Sequence, residues 1–438
     1  MEQKRERTAD VLIVGARCAG SPLAMLLARQ GKRVVVVDRA DMPSDQPMST
    51  HFIQPFGMAI LDEIGIGDKV REFAPAIPGF MNGVEGTVAH IRFPAGRGGS
   101  CPRRTDLDSL LVDEARAAGA NIWLKTNFID VLRERDRVVG AVVEHDGKRT
   151  EIRAEIVVGA DGRNSTVAEE VGAKEYLSYA APRAAYWAYW PRPDWYTQDP
   201  RYQGAAAIIH DGDRYRFIFP ANRDQLLVGV AFPVEELDQW KHRHREKLLE
   251  LVHCHPLTAP ITDSEPLSKV LGIINARFFF RQAAGPGWAL VGDAGLFKDP
   301  APGLGICDAF RDARALADAI MEGSDLALER YWRKRDVESI ELFYFARDQG
   351  SPSFNNPLNR LVFSKIARDK ALQDRIISVV NREISPFAIV STAQMFGWLL
   401  GAMLKGQFGV VKPFLTAGKF IGFVQKELTY RRKLAESI

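Results

Sequence analysis

At 438 residues the chain exceeds one compact core and predicts two domains with an appendage. Hydrophobic residues make up 46% and charged residues 26%, as in ordinary water-soluble proteins. The 58 basic and 55 acidic side chains leave a net charge of +3, too balanced for a nucleic-acid binder. Cys18, Cys101, Cys254 and Cys307 are scattered without a CxxC pair, and the opening Met-Glu-Gln-Lys-Arg-Glu-Arg lacks an apolar signal core; both point to a reducing cytoplasm.

Residues 10–14 (Asp-Val-Leu-Ile-Val) read as a buried parallel strand, followed by a turn, a helix over 20–30 and a second strand over 34–37. Gly15 permits the tight turn and Gly20 lets the helix pack close to the strand. A pyrophosphate is then held on the free N–H groups at the helix start, beside Ala16, Cys18 and Ala19. Asp38, 18 residues after Gly20, is placed to accept from adenosine ribose hydroxyls. The usual middle glycine is Arg17, whose side chain either swings clear or adds positive charge at the phosphates.

Further along, the pattern predicts a helix over 105–118, a strand over 121–125, a hairpin of 138–144 with 148–152 around Asp146-Gly147, and a strand over 154–158 running into Asp161-Gly162. From about 176 the texture changes to alternating, aromatic-rich strands at 184–190, 204–210, 215–220 and 225–232, followed by a helix over 234–253. His242, His244, His253 and His255 crowd that segment. Positions two apart on a helix face different sides, so no metal site is assigned. A strand over 288–291 delivers Gly292-Asp293 to its carboxyl end, where open α/β sheets bind ligands. The run Lys298-Asp-Pro-Ala-Pro-Gly-Leu-Gly-Ile306 then bares backbone N–H groups at the start of a helix over 303–320, suited to the negative edge of a reduced flavin. The longest apolar stretch, 389–404, is too short and too polar to span a bilayer. It reads as a buried helix, with interfacial membrane contact aided by Lys405, Lys412 and Lys419 as the alternative.

Taken together the three glycine-bearing motifs point to one bound FAD, and residues 8–320 resemble single-component flavin monooxygenases of the p-hydroxybenzoate hydroxylase type, in a branch related to geranylgeranyl reductases and flavin-dependent halogenases. The resemblance implies an α/β fold: a Rossmann-type FAD-binding domain (8–80, 101–175 and 276–340), an inserted antiparallel β-sheet substrate domain (81–100 and 176–275) and a C-terminal helical region (341–438). It assigns to tightly but non-covalently bound FAD the turn from Gly15 to Gly20, Asp38 and Arg39, then Arg104, Phe128, Asp161, Gly162, Gly292, Asp293, Pro300, Gly303, Gly305 and Ile306. His51 stands where the family often has an arginine, and either takes a phosphate or flavin-edge contact or lies on the surface.

The activity so implied is hydroxylation or epoxidation of a small, mostly apolar molecule, using NAD(P)H and O2 through a C4a-hydroperoxyflavin. No second Gly-rich unit exists for the nicotinamide, which docks transiently. Tyr186, Trp187, Tyr189, Tyr202, His210 and Tyr215 are candidates for the substrate pocket, although residues of opposite parity on a strand cannot share it. No catalytic residue is assigned, and the chain is expected to be a monomer or homodimer without membrane contact. A geranylgeranyl-reductase-like double-bond reductase is the alternative; a halogenase or a non-catalytic flavin sensor ranks lower, the run from Trp187 to Pro191 lacking the halogenase spacing.

Overall fold

The computed structural model describes residues 7–44 and 49–404; Lys405, Lys412, Lys419 and the rest of 405–438 lie outside them. Five parallel strands form the nucleotide-binding sheet, in the order Trp288–Leu290, Lys148–Gly159, Arg7–Val14, Val34–Val37, Asn121–Trp123. Both faces of this sheet are covered, which is why its strands are apolar throughout. Ile13 and Val36 pack on one side against Leu23, Leu107 and Phe310 of the helices Gly20–Arg29, Arg104–Ala117 and Gly305–Glu322. Leu12 and Val157 pack on the other against Val131, Val138 and Val143 of an antiparallel pair, Thr126–Glu134 and Arg137–His145.

Lys148–Gly159 is one strand of 12 residues rather than the two short ones expected at 148–152 and 154–158. Its first half pairs antiparallel with Arg137–His145 and its second half lies between Arg7–Val14 and Trp288–Leu290, so nothing interrupts it at Arg153.

The second sheet has seven strands, ordered Leu271–Ile273, Arg183–Pro191, Gln225–Pro233, Arg214–Ala221, Ala206–Asp211, Gly79–Val84, Thr87–Arg92. One face is covered by the helix His244–His253, and Trp190, Phe232, Trp240 and Val252 are buried there. The other carries Trp187, Tyr189, Phe217, Phe219 and Leu227 against helices Pro357–Ile366, Lys370–Val380 and Thr392–Leu404. The helix expected over 234–253 is broken: His242 adopts left-handed backbone (φ 62°) between Leu237–Trp240 and His244–His253. Trp240, stacked on Phe232 at 3.9 Å, is buried just before the break.

The long helix Asp325–Gln349 leads from the nucleotide domain to the last three helices of the described residues. The helix Thr392–Leu404 is buried along one side only, so the expectation of a buried helix at 389–404 holds for half its surface. Among the described residues no helix is long and apolar enough to cross a membrane.

Candidate functional site

The turn after the first strand is as close-packed as backbone allows. Gly15 has φ 107°, and a Cβ added to it would stand 2.4 Å from the Ala160 carbonyl oxygen; one on Gly20 would stand 1.8 Å from that of Gly15. Among the described residues no side chain caps the helix that follows and no acidic residue lies in its first turn, so its positive end is left for an anion. The Arg17 guanidinium donates to Asp108 Oδ2 at 3.3 Å and to Ser44 Oγ at 2.9 Å. Asp38 braces the turn, its Oδ2 accepting from Ala16 N–H and its Oδ1 from Ala40 N–H, both at 2.8 Å, and Arg39 beside it is exposed.

Asp108 is the residue that sequence reasoning missed. Fully buried, it accepts from Arg104 Nε at 3.1 Å and Nη2 at 2.9 Å, from Arg17, and from the Cys18 thiol at 3.4 Å. One carboxylate thereby fixes two cations and the glycine turn, a charge-assisted arrangement suited to the rim of a phosphate site. The i,i+4 spacing of Arg104 and Asp108 on an amphipathic helix was the available signal.

The second and third motifs close on the same region. Gly292, in left-handed backbone (φ 62°), would bring a Cβ to 3.0 Å from that of Ala19. Asp161 accepts from Val167 N–H at 3.2 Å through one oxygen, while its buried Oδ1 has no hydrogen-bond partner among the described residues. Burial raises its carboxyl above the usual range. Asp293 is exposed as a residue, while the protein atoms packed around its carboxyl push it up to about 6 against the pull of Arg104, Lys298 and Arg163. Pro300 is likewise exposed between buried neighbours, Gly305 is exposed between buried Leu304 and half-buried Ile306, and a Cβ on Gly162 or Gly305 would meet nothing within 4 Å among the described residues. The glycines of the first turn are thus packed tight against backbone, while Gly162 and Gly305 leave open space beside them.

The orphaned Asp161 oxygen and the glycine cradle fit FAD, which Gly15–Gly20 and Arg104 would hold at the phosphates, Asp38 at the ribose, Asp161 and Asp293 by the ribityl chain, and Pro300, Gly303, Gly305 and Ile306 along the ring. When bound, the flavin supplies reversible two-electron chemistry.

His51 is fully buried, in left-handed backbone (φ 63°), and its Nε2 hydrogen-bonds the Tyr189 hydroxyl. Its Nδ1 has no hydrogen-bond partner among the described residues, and burial, with Arg104 and Arg103 nearby, holds the imidazole neutral. The Arg103 guanidinium lies 4.0 Å from the centre of the Tyr189 ring. The neighbouring Phe52 lies under Gly303, whose added Cβ would reach it at 3.0 Å, and against Phe219 of the large sheet at 5.6 Å between ring centres. The His51 segment therefore lies in the seam between the flavin loop and the inserted sheet.

Strand parity divides the six residues expected to line the pocket. Trp187, Tyr189, His210 and Tyr215 share the face toward the C-terminal helices. Tyr186 and Tyr202 are on the opposite face: Tyr186 stacks on Trp240 at 5.4 Å, and Tyr202, fully buried, donates to the Leu257 carbonyl at 2.9 Å. Those two fill the core under the helix His244–His253 and are not brought to that seam. Phe128 packs against the apolar cluster containing Val37 and Val143.

The chain matches the FAD binding domain family over residues 8–337 and belongs to it. It is an FAD-dependent oxidoreductase. It is 27% identical over 341 residues to a menaquinone reductase of Mycobacterium tuberculosis (strain ATCC 25618 / H37Rv), covering 74% of this chain and 79% of that one. It is equally 27% identical over 340 residues to a digeranylgeranylglycerophospholipid reductase of Methanosarcina mazei, covering 76% and 81%. Among solved structures, p-nitrophenol 4-monooxygenase PnpA from Pseudomonas putida DLL-E4 superposes with a TM-score of 0.70 at 19% identity, over 87% of this chain and 99% of that one; this likeness shows the fold.

Proposed function

We propose that the protein reduces a carbon–carbon double bond in an isoprenoid chain. The observation that carries this reading is the hydrocarbon character of the sheet face turned toward the flavin seam, where Phe52 and Phe219 meet and Trp187, Phe217 and Leu227 continue the surface. Such a wall suits an alkyl chain, with charge only beside Tyr189 and Tyr215, where Arg103 and Arg183 lie over the rings. The names of the two relatives, both reductases of molecules with prenyl chains, support the same direction.

Saturating the bond adds one hydride and one proton. The bound flavin, once reduced by a transiently docked NAD(P)H, would supply the hydride. The proton is held by the His51–Tyr189 pair. With its own proton on Nε2, the neutral imidazole donates to the Tyr189 oxygen and leaves the phenol hydrogen for the substrate carbon.

The test is anaerobic mixing of the reduced protein with a geranylgeranyl or polyprenyl lipid, following return of the oxidised-flavin absorbance and the substrate mass. Reoxidation with gain of two hydrogens supports the reading. Reduced flavin that stays bleached with every prenyl lipid, but in air inserts oxygen into an aromatic compound, sinks it. That outcome belongs to the second reading, a monooxygenase of a planar substrate, which the clustered rings of Trp187, Tyr189 and Tyr215 favour.

A further inference from the structure

The helix Thr392–Leu404 contains no charged residue, and neither does the whole stretch 384–404. Its inner side is accounted for: Met395, Leu399 and Ala402 are buried in the apolar cluster with Leu358, Leu361 and Ile377. The outer side should then be polar, as on any helix lying at a protein surface in water. Instead Phe396 is 62% exposed, Leu400 48%, Met403 45% and Leu404 81%. These four stand at i, i+4, i+7 and i+8, which places them on one stripe. Isolated exposed apolar side chains are common, but four large ones in a row on an uncharged helix mark a contact surface.

The chain that continues from this helix indicates what the surface meets. Residues 405–438 carry seven Lys and Arg against two Glu, with lysines at every seventh position from 405 to 433, so basic charge runs the length of the segment and is densest at Arg431, Arg432 and Lys433. Between them stand Phe408, Phe414, Phe420 and Phe423. Basic charge alternating with large apolar side chains is the composition that seats in the headgroup layer of an anionic bilayer. A second copy of the chain would bring the same excess of positive charge to the contact, which disfavours self-association through this face.

We infer that the outer stripe of Thr392–Leu404 is a peripheral membrane-binding surface, docking on anionic lipid with Phe396, Leu400, Met403 and Leu404 in the interfacial layer. The same helix packs inward on the cluster that holds Trp187 and Tyr189, so docking would set the substrate-domain sheet one helix layer from the lipid. The inference concerns where the enzyme sits and does not depend on which flavin reaction it runs.

The experiment is co-sedimentation of the FAD-loaded full chain with phosphatidylcholine vesicles, with and without phosphatidylglycerol, at low and high salt. The wild type is expected to sediment with the anionic vesicles, less so at high salt. The variant F396S/L400S is expected to bind them about tenfold or more weakly, since two large apolar groups no longer leave water. Both substituted side chains are exposed, and retained flavin absorbance verifies that the variant is folded. Failure of the wild type to sediment with anionic vesicles at low salt overturns the inference. So does binding that the double substitution leaves unchanged, or sedimentation velocity showing a dimer that F396S/L400S dissociates in a protein that ignores vesicles.

Discussion

Arg382, in the loop after the helix Lys370–Val380, reaches back to ion-pair with Asp308 in the first turn of the helix that follows the flavin loop. Lys298 contacts the other oxygen of the same carboxylate, and Arg311 lies 3.8 Å away. The C-terminal helices are thus clamped to the first turn of the helix Gly305–Glu322.

Removing the clamp should loosen both. Arg382→Ala leaves Asp308 with Lys298, so the loss is expected to be about 2 kcal/mol instead of the ~3–5 kcal/mol of a fully orphaned buried charge. Thermal unfolding with and without added FAD measures it. An unchanged melting temperature in both states would show that the pair carries no net stability.

The charges around Asp108 should separate by burial. Arg104 is 7% exposed and makes two hydrogen bonds to that carboxylate, so Arg104→Ala is expected to cost about 3 kcal/mol and to weaken FAD retention. Arg17 is partly exposed at a longer distance, so Arg17→Ala is expected to cost under about 1 kcal/mol. Urea titrations of the two variants compare them, and equal losses would contradict this ranking.

Gly20→Ala places a methyl group where the Gly15 carbonyl already stands. The turn must open, and the variant is expected to purify colourless, with its ratio of flavin to protein absorbance near that of free apoprotein. A yellow Gly20→Ala protein would mean that the helix can shift without losing the phosphate contact.

Asp299 gives a pH dependence of known sign. Burial pushes its carboxyl up to about 7, although Ala301 N–H at 2.9 Å and the distant pull of Arg183 oppose the shift. The folded protein therefore keeps this proton to about pH 7, whereas the unfolded chain releases it near 3.8. Its contribution to stability is complete below the lower value and is lost as pH rises through the upper one. Asp299→Asn, which cannot ionise, is expected to gain up to about 4 kcal/mol at pH 8 and nothing near pH 4. Denaturant midpoints across that range decide it; a variant destabilised equally at both ends would refute the assignment.

Much of the nucleotide domain was legible because its signals are local. A run of β-branched residues, a glycine whose backbone must turn left and an aspartate at a strand end need no distant partner to be read, and the hairpin at Asp146-Gly147 is equally self-contained. What could not be read depends on packing between remote segments. Parity told that Tyr186 and Trp187 oppose each other, but only the placement of the helices decides which faces the flavin side. The break at His242 accompanies the stacking of Trp240 on Phe232, eight residues earlier in sequence and on a different element. Asp108 pairs with Arg17 across 91 positions, which explains why Arg17 could be assigned no single direction beforehand.

The strand Lys148–Gly159 also sets the order in which the protein can be born. Arg7–Val14 is made first, yet it finds its inner neighbour only when residues 152–159 have been synthesised, and that neighbour remains open on its far side until Trp288–Leu290 emerges. A nascent chain thus carries a half-built nucleotide sheet with a bare apolar edge through most of translation. The cofactor cradle becomes complete only once the chain has been made through Ile306, after the whole inserted sheet, so its parts are assembled from segments synthesised far apart in time.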